Sequence, residues 1–222
     1  MGKMKNRLKT QWNEVYKNEK RPKPIQEDFP DVVKVFKEHN VNRVLDLACG
    51  SGRHLVYLAS EGFSVYGLDI SKEGITKAQA ALKEKHLKAD LVVGSMYQRL
   101  PYETDFFDAI ICIRALHHGT IEEISRAIKE MERVLKPKGL IYVTVRKRIP
   151  KREMLPHKYI APRTYVPTEG KEKGVVHYLF NKKLLEKKFK NFKILRLKAD
   201  HGPKKWEAYY SLLGELKQNS KK

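Results

Sequence analysis

Cysteine is nearly absent from this chain: there are two in 222 residues, Cys49 and Cys112. Both lie in apolar stretches, which excludes a disulfide-stapled secreted scaffold and a cysteine-ligated zinc site, and points to a reducing, cytoplasmic setting. No apolar run reaches the roughly 18 residues that suggest a membrane span. The opening MGKMKNRLKTQWNE lacks the apolar core of a secretory signal, so neither membrane insertion nor export is expected. Acidic residues are few against basic ones, 26 to 46, for a net charge of +20. The imbalance is uneven. Arg43 to Val145 holds 14 Lys and Arg against 13 Asp and Glu. The excess therefore sits in the N-terminal arm, in the stretch from Arg146 to Gly174, and in the C-terminal part. A near-neutral centre with basic additions reads as an ordinary core whose appendages meet nucleic acid or another polyanion. The plainer alternative is a lysine-rich solvated surface.

What is present is a regular alternation of strand and helix patterns. Trp12 and Tyr16 stand four apart, as on one helical face, before Pro22 and Pro24 end that segment. DFPDVVKVFKEH reads as a helix capped by Asp28, with Pro30 in its first turn. RVLDLA, SVYGLDI, ADLVVGSM, FDAIICIRAL and LIYVTVR read as five strands, the fourth apolar enough for burial on both faces. Helices fall between them, one capped by Ser71 and another opened by Thr120 and Glu123 at capping-box spacing. Such βαβ alternation predicts a Rossmann-like, doubly wound α/β fold with helices on both faces of a mostly parallel sheet. From Lys147 to Gly174 four prolines and no clear period predict a long loop or lid. HYLFNKKLLEKKFKNF then reads as a helix. KILRLKAD and KWEAYYSLLGEL complete a seven-stranded sheet as an antiparallel pair. This gives one domain: a helical arm (1–40), a cofactor-binding core (41–145), a basic substrate lid (146–176) and a C-terminal completion (177–222).

The most informative stretch is RVLDLACGSGRH, the turn after the first strand. Ligands of open α/β sheets bind there, where Gly50 and Gly52 let the backbone come close. A nicotinamide fingerprint needs a third glycine, and that position is Leu55. Asp46 ahead of the glycines would face a pyrophosphate unfavourably but suits a cationic, amino-bearing ligand. Asp69, ending the second strand, stands where an acid accepts hydrogen bonds from ribose hydroxyls.

With LDLACGSG, LDIS (68–71), GSM (94–96), FDAIICIRALHH (107–118) and RVLKPKGLIYV (133–143), the chain resembles the class I S-adenosylmethionine-dependent methyltransferases. The resemblance spans about Val41 to Val145. It implies S-adenosylmethionine as cofactor and S-adenosylhomocysteine as product. It places the methionine part against Asp46 and the backbone of Ala48 to Gly52, the ribose on Asp69, and the adenine against Ile70, Ser95 and Met96, with Ile113 closing the site. Many relatives carry an acid at the Ser95 position; this chain does not.

Methyl transfer from a sulfonium needs positioning more than it needs a base. CIRALHHG at the end of the fourth strand lacks the Asn/Asp-Pro-Pro-Tyr/Phe pattern of enzymes that methylate exocyclic amino groups, and Cys112 reads as core. His117 and His118 are candidates for base or positioning, and Arg114 for binding an acceptor's carboxylate or phosphate. The basic lid, with Arg146, Arg148, Arg152 and Arg163 interleaved with Tyr159 and Tyr165, suits phosphates and unstacked bases. His177, Trp12 and Tyr16 are further candidates for the substrate cleft. His39, His54, His86, His157 and His201 show no metal-ligand spacing, so no metal is expected. ALHHGTIEEISRAIKEMERVLKPKGLIYV is similar to both wobble-uridine tRNA and quinone-biosynthesis methyltransferases. The acceptor implied is an oxygen or nitrogen of RNA, tRNA before rRNA, with an anionic metabolite or protein side chain as alternative. A non-catalytic binding module of the same fold is the distant reading. Some tRNA methyltransferases need a small activating protein; that requirement and the oligomeric state have no signature in this sequence.

Overall fold

The computed structural model describes residues 2–20, 24–148, 156–201 and 208–218. Along the chain run α1 (Gly2–Lys17), α2 (Phe29–Glu38), β1 (Arg43–Leu47), α3 (Arg53–Ser60), β2 (Ser64–Asp69), α4 (Lys72–Glu84), β3 (Asp90–Val93) and β4 (Phe107–Ile113). Then follow α5 (Ile121–Val134), β5 (Leu135–Arg146), β6 (His157–Ala161), β7 (Thr164–Pro167), β8 (His177–Tyr178), α6 (Lys182–Lys188), β9 (Phe192–His201) and β10 (Ala208–Leu216). Seven strands make one sheet in the order β3-β2-β1-β4-β5-β10-β9. The first five are parallel, and β10 runs antiparallel to both β5 and β9, as expected.

Alternation explains how apolar strands feed two cores. In β4, Ile110 and Cys112 point to one face, where Ile124, Ala127, Ile128 and Met131 of α5 and Leu185 of α6 pack. Ala109, Ile111 and Ile113 point to the other, against Phe29, Val32, Val33 and Phe36 of α2 and Leu55 and Leu58 of α3. Each fully buried Leu, Ile or Phe contributes about 1.5–3 kcal/mol, so these two layers dominate the stability. The helix starts follow the sequence: Ser71 accepts from the Gly74 amide, and Thr120 with Glu123 forms the complete capping box of α5.

Three expectations are corrected. Asp28 does not cap α2. Its carboxylate instead accepts from Gln26, from the hydroxyl of the buried Tyr142 and from Arg196, so a residue suited to capping is diverted to tie α2 to the sheet. The lid is not a plain loop. Its described part forms a three-stranded antiparallel sheet, β6-β7-β8, turning at Arg163 with φ near 61°. Pro156 and Pro162 sit at bends and Pro167 at a strand end, and so hid the strands. Finally, the helix read from His177 onward begins only after Asn181, whose side chain accepts from the Leu184 amide at 2.8 Å. His177 and Tyr178 belong to β8, where the Tyr178 amide donates to the His117 carbonyl at 2.8 Å and binds the lid to the core.

Candidate active site

The strand order reverses between β1 and β4, and there the carboxyl ends of the strands open into a cleft of about 1530 Å³. At both strand ends a non-glycine residue adopts the left-handed region, Ala48 at φ 64° and Arg114 at φ 56°. Such conformations cost about 1–3 kcal/mol each and persist where the surroundings fix them. Here they are fixed by hydrogen bonds. The Ala48 and Cys49 amides donate to the Leu68 carbonyl, and the Arg114 amide donates to the Thr144 carbonyl and hydroxyl.

One end of the cleft is acidic and closely tied to the backbone. Asp69 is buried, one carboxylate oxygen accepting from the Gly50 amide and the other from the Ser71 amide, each at 2.8 Å. The carboxylate thus shapes the glycine turn, and its remaining acceptor capacity faces the cleft. Asp46, 2% exposed, has a carboxylate oxygen with no hydrogen-bond partner. Burial pushes its pKa up to about 7, against the nearby Arg53 guanidinium, and pushes Asp69 up to about 6. Ala48, Gly50, Ile70, Ser95, Met96 and Ile113 line the same end.

The two glycines of the turn differ in their work. Gly50 faces the cleft, where a Cβ would run into the Tyr16 hydroxyl. Gly52, at φ 84°, starts α3, and a Cβ there would stand 2.8 Å from the Ala78 Cβ of α4. It serves helix packing and is not among the cleft-lining residues.

The other end is basic and aromatic. Arg114 and Arg146 lie over the Tyr209 ring, with guanidinium carbons 4.8 and 5.5 Å from its centroid. Arg114 forms no ion pair among the described residues. His117 and His118 follow at the β4–α5 turn, held by the Tyr97 hydroxyl on the Leu116 carbonyl and by Gly119, which leaves no room beside the Tyr97 ring. Trp12 of the arm packs on His118 with ring centroids 5.0 Å apart, and Tyr165 of β7 stacks on His177 at 4.8 Å. The arm and lid meet through Gln11, which donates to the Lys171 carbonyl.

Of the sequence candidates, Trp12, Tyr16, Arg114, His117, His118, Arg146 and Tyr165 therefore come together on the cleft. His177 lies buried behind it. Arg163 and Tyr159 do not line it. Arg163 donates to the Leu179 carbonyl within the lid, and Tyr159 is 60% exposed on the lid's outer surface. Arg148 does not line it either, and Arg152 lies outside the described residues. Tyr209, Arg53, Gln26, His54 and Glu172 line the cleft without having been singled out. His54 is a clamp: its Nε2 accepts from the Gln26 amide at 3.1 Å, and burial holds it neutral. Only Arg53 and His54, inside the stretch RVLDLACGSGRH, carried a local signal. His39, His54, His86, His157 and His201 lack metal-ligand spacing along the sequence, but spacing says nothing of histidines that the fold joins. The fold brings His117, His118 and His177 together, with one ring nitrogen from each within 4.8 Å of the others.

Residues 44–139 match the family described as "Methyltransferase domain". An uncharacterized methyltransferase of Synechocystis sp. is 37% identical over 98 residues, 44% of each chain. The tRNA (carboxymethyluridine(34)-5-O)-methyltransferase of Arabidopsis thaliana is 38% identical over 103 residues, 46% of this chain and 23% of its own. This chain thus spans less than half the length of these curated relatives. A crystal structure described as an S-adenosylmethionine-dependent methyltransferase of Methanosarcina mazei superposes with a TM-score of 0.71. It is 23% identical and covers 82% of this chain and 98% of that one. The chain has that fold.

Proposed function

We propose that the chain transfers a methyl group from S-adenosylmethionine to an anionic oxygen presented by RNA, a reading supported by the match of residues 44–139 to the methyltransferase domain family. The cofactor fits the acidic end: the unpartnered oxygen of buried Asp46 suits a cation, and the Asp69 carboxylate fixes the glycine turn beside it. There Asp46, Asp69 and the turn from Ala48 to Gly50 would hold its polar groups, and Ile70 and Met96 its base. S-adenosylmethionine supplies an already activated methyl group.

The observation that carries the acceptor reading is the charge reversal along the cleft, from Asp46 and Asp69 at one end to Arg114 and Arg146 on Tyr209 at the other. Two guanidinium groups can hold a carboxylate in line for attack, and a carboxylate acceptor has no proton to lose. Arg114 and Arg146 position the acceptor; Trp12, Tyr16 and the lid exclude water. The +20 charge and the likeness to a tRNA carboxymethyluridine methyltransferase support RNA over a metabolite. The contact of arm and lid across the cleft favours a second reading, a small anionic acceptor.

Incubation with radiolabelled S-adenosylmethionine and fractionated cell extract tests the choice. Label in RNA, together with binding of that RNA that weakens steeply with salt, is expected. Label only in metabolites, with a flat salt response, overturns the RNA reading.

A further inference from the structure

The proposed transfer leaves three buried imidazoles unused. His117 is 1% exposed, His118 7% and His177 0%. One ring nitrogen from each lies within 4.8 Å of the others. Both ring nitrogens of His117 and both of His177 lack a hydrogen-bond partner. Buried imidazoles ordinarily donate one N–H to a carbonyl or carboxylate, so this concentration of unsatisfied nitrogen calls for a ligand. The nearest acid is Glu172 of the lid, whose Oε2 stands 3.3 Å from His177 Nε2.

We propose that His117, His118 and His177, completed by Glu172, form a site for a divalent transition-metal ion of the zinc class. Three imidazoles and one carboxylate are a donor set for zinc and its neighbours, whereas calcium and magnesium prefer oxygen alone. Tetrahedral zinc with Zn–N near 2.0–2.1 Å needs nitrogens roughly 3.3–3.4 Å apart, so small side-chain rotations close the present spacing. Burial keeps His117 and His177 neutral, the form that coordinates metal. Arg146 and Arg114 oppose a cation here, and Glu172 offsets them in part.

The donors come from two elements, the β4–α5 turn and the lid. A bound ion would staple the lid to the core and add to the backbone bonds from Tyr178 to His117 and from Phe180 to Arg146. His117, His118 and Glu172 also line the cleft, so the ion would stand at the acceptor end. That consequence rests on the proposed function; metal binding itself does not.

The test uses the untagged full chain, stripped with chelator and titrated with Co²⁺, with visible absorption read as Zn²⁺ is added in competition. One equivalent of Co²⁺ with the intense bands of a low-coordinate site, displaced by Zn²⁺, is expected. His177→Ala and His117→Ala should weaken binding at least about 100-fold, and Glu172→Gln about tenfold, by loss of a ligand. His86→Ala, in the exposed turn after α4, should change nothing. S-adenosylhomocysteine calorimetry on each variant reports whether the fold survives. If the histidine variants do not fold, Glu172→Gln decides, because that side chain is partly exposed. Absence of stoichiometric binding, or an affinity unmoved by Glu172→Gln, overturns the site. Methyl transfer that fails while cobalt binds as expected counts against the proposed function alone.

Discussion

The two ends of the cleft are built in opposite ways. The acidic end comes mainly from β1 with its turn and from β2 with the residues just after it, joined by Ser95, Met96 and Ile113 from the ends of β3 and β4, and is tied by backbone hydrogen bonds through Asp69. The basic end is assembled from the ends of β4 and β5, from β7 and β8, from Tyr209 of β10 and from Trp12 of the arm. One is rigid by local geometry; the other exists only once distant segments have packed. A pocket for a constant partner can be encoded locally, whereas a pocket for a variable partner is set by which segments the fold recruits.

The largest effect should come from breaking the local end. Asp69→Ala removes the acceptor of both the Gly50 and the Ser71 amides and leaves two buried donors unsatisfied, at about 1–3 kcal/mol each. Cofactor affinity by calorimetry should fall about 100-fold or more, with a lowered urea midpoint. A fall under fivefold would mean that the turn holds its shape without this carboxylate. At the other end, Arg114→Gln should lower kcat/KM for the acceptor by roughly 10- to 100-fold, the weight of a charged hydrogen-bonded contact. Cofactor affinity should stay within about twofold. An equal loss in both would show that the two ends are coupled and act as one site.

Asp46 sharpens the comparison through pH. Its folded pKa is about 7, above the ordinary 3.8, because of burial. Between these values the folded state holds a proton that the unfolded state releases. The contribution of this group to stability is therefore greatest below pH 4 and declines as pH rises through 7. Asp69 acts with the same sign up to about 6. Asp46→Asn should flatten part of that decline in denaturant midpoints measured from pH 5 to 8. A cationic cofactor favours the ionised carboxylate, so S-adenosylmethionine affinity should climb by up to about tenfold per pH unit below 7 and level off above it. S-adenosylhomocysteine, with one positive charge fewer, should show the shallower profile. A flat profile for both would place the cation elsewhere.

The same contrast explains what could be read from the sequence. The inner strands of the parallel core, β1 and β4 above all, announce themselves because their two-sided burial leaves apolar runs, and α5 because Thr120 and Glu123 close a capping box. Asp46, Gly50 and Asp69 were legible because their roles follow from spacing along a strand and its turn. His177 beside His117, or Tyr209 beneath two arginines, has no such spacing, since only the docking of β8 and the antiparallel return of β10 create these pairs. Arg163 and Tyr159 misled for the same reason: a basic, aromatic stretch does not say which of its side chains turn inward. Gly52 misled differently, since the demand for no side chain came from Ala78 of α4 and not from a ligand.

The smallest effect expected lies where the local end meets a distant segment, at Gly50 and Tyr16. An alanine at 50 would hold φ near 56° at a cost of about 1–2 kcal/mol, and its Cβ would run into the Tyr16 hydroxyl. Tyr16→Ala removes that obstacle but not the backbone strain. In a double-mutant cycle the second substitution should therefore cost less in the Gly50→Ala background than in the parent, with a coupling of about 1 kcal/mol. The hydroxyl, buried with Asp69 and Cys49 beside it, is held well above its ordinary pKa, so the neutral phenol packs here across the working pH range. Strict additivity would mean that α1 leaves the turn in solution, and that the arm takes its place only when a ligand arrives.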